Sequence, residues 1–255
     1  YTTLFRSEPP TVTFTSENWN TPQPVTVTGV DDHVDRDDST TVTVAVDADN
    51  SDDAFDEISP ATITVTCVDD DEAAFTLSES QVTVAEPAGE TSFTVVLESE
   101  PEADVVFTIG STATDEATVA PQTLTFTPAD WATAQPVTVT AVDDAIDRDG
   151  DAATITVSID SGQSDATYGG LAQQTVGVTC TDDDEAGLAI AETEGTSVAE
   201  ASGEDTFTVA LTARPLTDVV LTVTSQDTDE ATVESPTLTF TPETWNAPKT
   251  VTVTG

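Results

Sequence analysis

The sequence repeats itself at the scale of a whole domain. A block that joins a strand, a turn and a second strand begins at Thr11, at Leu124 and at Leu238. Equivalent landmarks lie 112 residues apart (Trp19 to Trp131), 113 apart (Cys67 to Cys180) and 114 apart (Trp131 to Trp245). Units of solenoid proteins span only about 20 to 50 residues. The period therefore predicts a tandem array of globular domains.

The period divides the chain into three parts. Residues 73–185 form one complete unit, residues 1–72 match the later part of that unit, and residues 186–255 match its earlier part. The two flanking parts overlap, since residues 11–29 match residues 237–255. They do not add up to one clean domain, so we expect the sequence to be a window cut from a longer chain.

Apolar and polar residues alternate over short runs, which is typical of half-buried strands. In the complete unit the predicted strands cover residues 75–77 with 82–85, 91–97, 105–109, 123–127, 136–142, 154–159 and 175–180. About seven strands in one unit, with no helical period, predict an all-β fold: tandem Ig-like antiparallel β-sandwiches in an elongated array. The expected inward residues are Phe93, Val95, Leu97, Leu124, Phe126, Val137, Val139, Ile155, Val157, Ile159, Val176, Val178 and Cys180.

The chain is strongly acidic, with 49 Asp and Glu against five Lys and Arg and a net charge of −44. Nucleic acid is excluded as a partner, because phosphate binding needs clustered cations. No apolar run approaches the roughly 20 residues of a membrane span, so we expect no membrane insertion. Such charge opposes folding through self-repulsion. Bound divalent cations and a high-salt habitat are the two explanations, and the clustering of the acids favours cations; the alternating strands argue against disorder.

Carboxylates gather at the strand ends of the complete unit. They are Glu86, Asp115, Glu116, Asp143, Asp144, Asp147, Asp149, Asp151, Asp182, Asp183, Asp184 and Glu185. Alternate connections share one end of a sandwich, so several of these groups can converge on one tip. Calcium takes six to eight oxygen ligands, whereas acidic loops without an ion only solvate the surface. Repetition of the clusters in the flanking units favours calcium.

The same residues resemble a known family. The opening Phe75-Thr-Leu-Ser-Glu, the loop Thr114-Asp115, the segment Val142-Asp-Asp-Ala-Ile-Asp147 and the closing Val178-Thr-Cys-Thr-Asp-Asp-Asp184 are together similar to a Calx-beta domain. The resemblance implies calcium ligands at Glu86, Asp115, Asp143, Asp144, Asp147, Asp182, Asp183 and Asp184. The matching positions in the flanking units are Asp31, Asp32, Asp35, Asp69, Asp70, Asp71, Glu200 and Asp229. Asp147 and Cys180 depart from the residues usual in the family.

Other residue types yield weaker hypotheses. The repeated Trp19, Trp131 and Trp245 are expected to close one end of the core, with an exposed carbohydrate platform as the alternative. The cysteines are expected to be buried small hydrophobes. His33 is the only histidine and its counterpart is Ala145, so no repeated acid–base pair exists and we expect no enzyme.

Together these features predict a structural stalk. We expect a repeat segment of a secreted or cell-surface adhesin or filament, stiffened by calcium at junctions where one unit follows another without a Gly or Pro linker. Its partners would be neighbouring repeats and other copies of itself. A calcium-sensing regulatory module and a carbohydrate-binding array are the alternatives.

Overall fold

The computed structural model describes residues 5–148, 150, 152–192, 195–200 and 203–255. Its strands are β1 (Phe5–Glu8), β2 (Thr26–Gly29), β3 (Asp38–Val44), β4 (Ala61–Cys67), β5 (Phe75–Leu77), β6 (Gln81–Ala85), β7 (Glu90–Leu97), β8 (Val105–Ser111), β9 (Ala117–Ala120), β10 (Thr123–Phe126), β11 (Gln135–Ala141), β12 (Ala152–Ile159), β13 (Gln174–Thr181), β14 (Leu188–Glu192), β15 (Glu204–Leu211), β16 (Val219–Thr222), β17 (Thr232–Val233), β18 (Thr237–Phe240) and β19 (Lys249–Thr254).

The protein is all-β. Helical structure in the described residues is limited to 3₁₀ turns at Ala48–Asn50, Asp53–Phe55 and Tyr168–Gly170. No helix in the described ranges is long and apolar enough to cross a bilayer.

The complete unit is a sandwich of two sheets. One sheet has the order β10-β8-β12-β13-β6, and the other has the order β5-β7-β11-β9. The pairs are antiparallel with one exception, because β6 runs parallel to β13. The alternating pattern predicts an antiparallel sandwich, so this parallel pair differs from the prediction. The pattern also does not predict β9, which forms one edge of the second sheet.

The core lies between the two sheets. The residues predicted to point inward are buried, apart from Ile159, which packs half-buried against the cluster. The core also takes Val105, Phe107 and Ile109 from β8, and Tyr168 from the last 3₁₀ turn. The Phe107 ring meets Phe75 and Phe126 edge-on, at centroid distances of 5.0 and 5.7 Å. Edge-to-face contacts of this kind stabilise a core beyond simple burial.

The flanking parts repeat pieces of this architecture. In residues 186–255 the sheet order β14-β15-β19-β17 mirrors β5-β7-β11-β9, and β16 pairs with β18 as β8 pairs with β10. In residues 5–72 the pairs β1–β2 and β3–β4 mirror β9–β11 and β12–β13. Among the described residues, each flanking part has fewer strands than the complete unit, and apolar side chains such as Ile63 and Ile190 are exposed there.

Candidate metal centre

The connections that follow β6, β11 and β13 place acidic residues at one end of the complete unit, which we call the central tip. Its acids are Glu86, Asp144 and Asp182 to Asp184, together with Glu116 from the loop before β9. The parallel register pairs Val84 with Cys180 and Ala85 with Thr181, so β6 and β13 end side by side. Glu86 follows one strand and Asp182 the other, and the Glu86 amide donates to the Thr181 carbonyl at 2.9 Å. The parallel pair is therefore what brings Glu86 to the acids that follow β13.

A tight turn after β6 fixes the position of Glu86. The Gly89 amide donates to the Ala85 carbonyl at 2.7 Å, and a Cβ at position 89 would lie only 2.3 Å from that oxygen. Gly203 makes the same bond to Ala199 at 3.0 Å, and a Cβ there would lie 2.8 Å from the Ala199 oxygen. Glycine is required at both turns because no side chain fits so close an approach.

Four carboxylates meet at the central tip. Glu86, Asp182, Asp183 and Asp184 each offer an oxygen, and these oxygens all lie within 4.8 Å of one another. Glu86 is buried, with 8% of its surface exposed. The Oδ2 atom of Asp184 is buried and accepts no hydrogen bond from the described residues. An unsatisfied buried carboxylate oxygen is costly, so this atom marks a place where a cation fits.

The electrostatics of the tip favour a positive partner. Burial, followed by the charges of Asp182 and Asp183, raises the pKa of Asp184. Burial also raises the pKa of Glu86; the hydrogen bond from the Asp144 amide opposes this rise, and the negative charges of Asp144 and Asp182 add to it. Like charges repel by about 1 kcal/mol at 4 Å in water and about 4 kcal/mol near a protein surface. Repulsion summed over four clustered carboxylates thus becomes comparable with the roughly 5–15 kcal/mol that stabilises a whole domain.

Backbone amides orient the individual carboxylates. Asp182 accepts the Arg148 amide on Oδ2 at 2.7 Å and the Asp184 amide on Oδ1 at 3.1 Å. Asp144 accepts the Ile146 amide on Oδ1 at 2.6 Å. These bonds hold the carboxylates in place without supplying a full positive charge.

One arginine reaches into the acids from the loop after β11. Arg148 Nη2 lies 2.6 Å from Asp144 Oδ2 and 3.0 Å from Glu116 Oε1. Glu116 is buried, with 7% of its surface exposed. Glu116 belongs to the acids at the predicted strand ends but not to the predicted ligands, and neither does Arg148. The available signal was the position of Arg148, which is the only Lys or Arg between residues 73 and 185.

The first unit carries a second acidic cluster, which we call the first tip. Two overlapping sets have oxygens within 4.8 Å of one another: Asp31, Asp70 and Asp71, and Asp32, Asp69 and Asp71. Asp31, Asp32, Asp69 and Asp70 border an open cleft of about 160 Å³. The backbone bonds of the central tip recur here, since Asp69 accepts the Arg36 amide and Asp32 accepts the Val34 amide, both at 3.0 Å.

The other residues predicted as ligands lie outside these sets. Asp143 and Asp147 are exposed, and so is Asp115, whose neighbour Glu116 is the buried acid. Asp147 accepts the Ala186 amide at 2.8 Å, and Asp35 accepts the Ala73 amide at 2.9 Å. Glu200 and Asp229 are exposed in the third unit. Asp149 and Asp151 fall outside the described residues.

Both tips lie where one unit meets the next. The His33 carbonyl accepts the Glu100 amide at 2.6 Å, and at the following junction the Ala145 carbonyl accepts the Arg214 amide, also at 2.6 Å. The His33 ring lies 5.7 Å from the ring of Trp131. The loop that carries the acids therefore also contacts the next unit.

The tryptophans and cysteines have different surroundings in different units. Trp131 and Trp245 are half-buried and pack against the cores of their units, whereas Trp19 is 70% exposed. Cys180 is buried and its thiol donates to the Glu116 carbonyl at 3.5 Å, whereas Cys67 is half-buried.

Fold and site together define a tandem β-sandwich protein with acidic clusters at its inter-unit tips. No model of a known protein family matches the chain, and no curated protein sequence matches it.

Solved structures give weak similarities. The calcium-binding domain CBD12 of CALX1.1 is 18% identical with a TM-score of 0.35, covering 70% of this chain and 74% of that one. The apo-form CBD1 domain of Calx is 15% identical with a TM-score of 0.34, covering 45% and 100%. Domains 4 and 5 of the S-layer protein SbsC are 20% identical with a TM-score of 0.31, covering 50% and 61%. Identities and TM-scores this low do not indicate a function.

Proposed function

We propose that this chain is a structural repeat segment of a secreted or cell-surface protein, in which calcium binds the acidic tips and stiffens the junctions between units. Adhesins and extracellular filaments are the classes that such a segment serves. Its partners would be neighbouring repeats and other copies of the chain. The observation that carries the proposal is the buried, unsatisfied Asp184 Oδ2 within a cluster of four carboxylates at a junction.

The donor set suits calcium. Every group in the central cluster is a carboxylate, and hard oxygen ligands in a flexible arrangement are what calcium prefers. Glu86, Asp182, Asp183 and Asp184 would hold the ion, which would supply two positive charges to offset their repulsion. At the first tip the same role falls to Asp31, Asp32, Asp69, Asp70 and Asp71.

Stiffening would follow from the position of the loops. Asp147 and Ala145 both accept amides of the following unit, at Ala186 and Arg214. Their loop begins directly after β11, beside the carboxylates of the tip. Neutralising the tip therefore favours the arrangement in which this loop docks on its neighbour.

Calcium titration tests the proposal. Ligand at a hundred times its Kd stabilises a protein by about 2.7 kcal/mol, which is about 10 °C in Tm for a domain of this size. We expect calcium to raise Tm by that order and to narrow the spread of shapes seen by small-angle X-ray scattering. A chelator should reverse both effects. Identical melting and scattering with and without calcium would contradict the proposal.

A substitution tests whether the effect of calcium on stability arises at the central tip. Asp184→Asn keeps the shape of the side chain and removes the charge of the carboxylate whose Oδ2 atom is buried, so it should lower calcium affinity. In chelator the variant should be at least as stable as the wild type, because the repulsion from Asp182 and Asp183 is gone. Glu79→Gln is the matched control, since Glu79 is an exposed acid in the loop between β5 and β6. Equal calcium affinity in both variants would remove Asp184 from the site.

A further inference from the structure

Arg148 is the single fixed cation of the complete unit, and it lies inside the acidic tip. No other Lys or Arg occurs between residues 73 and 185. Its Nη2 atom contacts Asp144 at 2.6 Å and Glu116 at 3.0 Å, and its side chain is 31% exposed. Guanidinium remains protonated at all ordinary pH values. The arginine therefore supplies a permanent charge to these two carboxylates.

The guanidinium divides the tip into two halves. Asp144 and Glu116 contact the arginine, whereas Glu86 and Asp182 to Asp184 form the compact carboxylate set. The halves adjoin each other, because the Arg148 amide donates to Asp182 at 2.7 Å. Asp144, which the sequence groups with the ligands, is held on the arginine side of this division.

The first tip provides an internal comparison. Arg36 occupies the position of Arg148, but it contacts Asp38 at 2.9 Å and also Glu102 of the next unit. The 112-residue period places Leu4 of the sequence opposite Glu116, so the first unit has no acid at that position. Asp32, the counterpart of Asp144, belongs here to a carboxylate set with Asp69 and Asp71. At the first tip Arg36 pairs with Asp38 and Glu102, and Asp32 belongs to a carboxylate cluster. At the central tip Arg148 pairs with Asp144, which lies outside the compact carboxylate set.

We propose that Arg148 acts as a resident cation that occupies the Glu116–Asp144 half of the central tip and limits the number of divalent ions bound there. The divalent ion is confined to the half formed by Glu86, Asp182, Asp183 and Asp184. The first tip, whose arginine pairs with Asp38 and Glu102, retains both of its carboxylate sets. This role of Arg148 rests on the proposed calcium binding, and it explains what determines the number of calcium ions bound at the central tip.

Native mass spectrometry of the 255-residue chain in calcium tests the assignment by counting bound ions. Arg148→Gln keeps most of the stem and removes the charge, so the chain should bind one more ion than the wild type. Arg148→Lys restores a cation and should return the count to the wild-type value. Arg36→Gln is the matched control and should leave the count unchanged. An unchanged count in Arg148→Gln, or an equal gain in Arg36→Gln, overturns the proposal.

A separate measurement distinguishes this inference from calcium binding itself. If the wild type binds no calcium, the proposed function fails, and thermal unfolding in chelator then decides the role of Arg148. Each arginine contacts two carboxylates, but Arg148 is less exposed than Arg36 and one of its partners is the buried Glu116, so Arg148→Gln should lower Tm more than Arg36→Gln. A lower Tm supports the resident-cation role, and equal Tm values overturn it. Circular dichroism of each variant at low temperature establishes that it folds.

Discussion

The turn that contains the repeated tryptophan shows how one hydrogen bond can be made by different residues. In all three units a side-chain oxygen accepts the amide three positions earlier. The pairs are Asn18 with Thr15 at 2.5 Å, Asp130 with Thr127 at 2.6 Å and Thr244 with Thr241 at 3.2 Å. Short polar side chains close turns in this way. The position requires an acceptor oxygen rather than a charge.

Asp130 therefore tolerates one substitution and not another. Asp130→Asn retains the acceptor, as Asn18 does, and should lose little stability, whereas Asp130→Ala removes the acceptor and should lose more. Bonds from the Thr127 amide and then its hydroxyl lower the pKa of Asp130. The additional stabilisation that comes from its charge is present above the ordinary carboxyl pKa of about 3.9 and is lost as pH falls through the lowered value, which leaves a neutral acceptor like that of Asn18. Urea unfolding at neutral pH and near pH 3 should show the gap between wild type and Asp130→Ala narrowing in acid, towards the gap between Asp130→Asn and Asp130→Ala. An equally large gap at both pH values would contradict this account.

At the level of single residues, the sequence predicts the acidic tip better than its internal arrangement. Glu86 and the three acids after β13 were foreseen and lie together. Asp115 and Glu116 are adjacent acids before an unforeseen strand, and nothing in the local pattern tells which one turns inward. The choice depends on the turn in which the Ala117 amide bonds to Ala113 at 3.0 Å. The sequence does not reveal the role of Arg148, because its partner Glu116 comes from a different loop.

The strands divide into those that periodicity reveals and those that tertiary context creates. β7, β11, β12 and β13 alternate over seven or eight residues, and their inward faces are as predicted. β9 has only four residues, three of them alanine or threonine, and it is defined by pairing with β11. β5 and β6 are neighbours in sequence but join different sheets. Alternation gives the face of a strand but not its partner, so the parallel β6–β13 pair could not be foreseen.

Equivalent phenylalanines test how much each element contributes to stability. Phe126 in β10 is fully buried, whereas its counterpart Phe14 is 53% exposed in the first unit. Phe126→Ala should cost about 3–5 kcal/mol, as large core truncations do. Phe14→Ala should change stability by no more than about 0.5 kcal/mol, as for an exposed site. Urea unfolding followed by circular dichroism measures both, and similar losses in the two variants would show that the packing described for β10 is wrong.

Across the whole chain, one docking mode is used twice. Each junction has a backbone bond of 2.6 Å to the next unit and an aspartate that accepts the amide of residue 73 or 186. The side chains around these bonds differ, since His33 and Glu102 of the first junction correspond to Ala145 and Leu216 in the second. Backbone contacts do not depend on side-chain identity, so a junction of this kind can be copied while the sequence around it varies.

The net charge of −44 allows two explanations of stability that make different predictions for the whole molecule. General screening acts through ionic strength, which shortens the Debye length from about 10 Å at 0.1 M salt to about 3 Å at 1 M. Site binding acts through particular carboxylates. In chelator we expect Tm to rise gradually with sodium chloride over this range. Adding about 1 mM calcium at 0.1 M salt leaves the Debye length almost unchanged, so a rise in Tm under those conditions comes from bound ions.

Magnesium is the matched control for the calcium effect. It demands near-ideal octahedral geometry and gives up its waters reluctantly, so a cluster of adjacent aspartates should bind it less well than calcium. Equal concentrations of the two ions contribute equally to ionic strength. We therefore expect Tm to rise more with calcium than with magnesium, and the difference to shrink in Asp184→Asn. Equal shifts for the two ions, matched by sodium chloride of the same ionic strength, would mean that screening alone stabilises the chain.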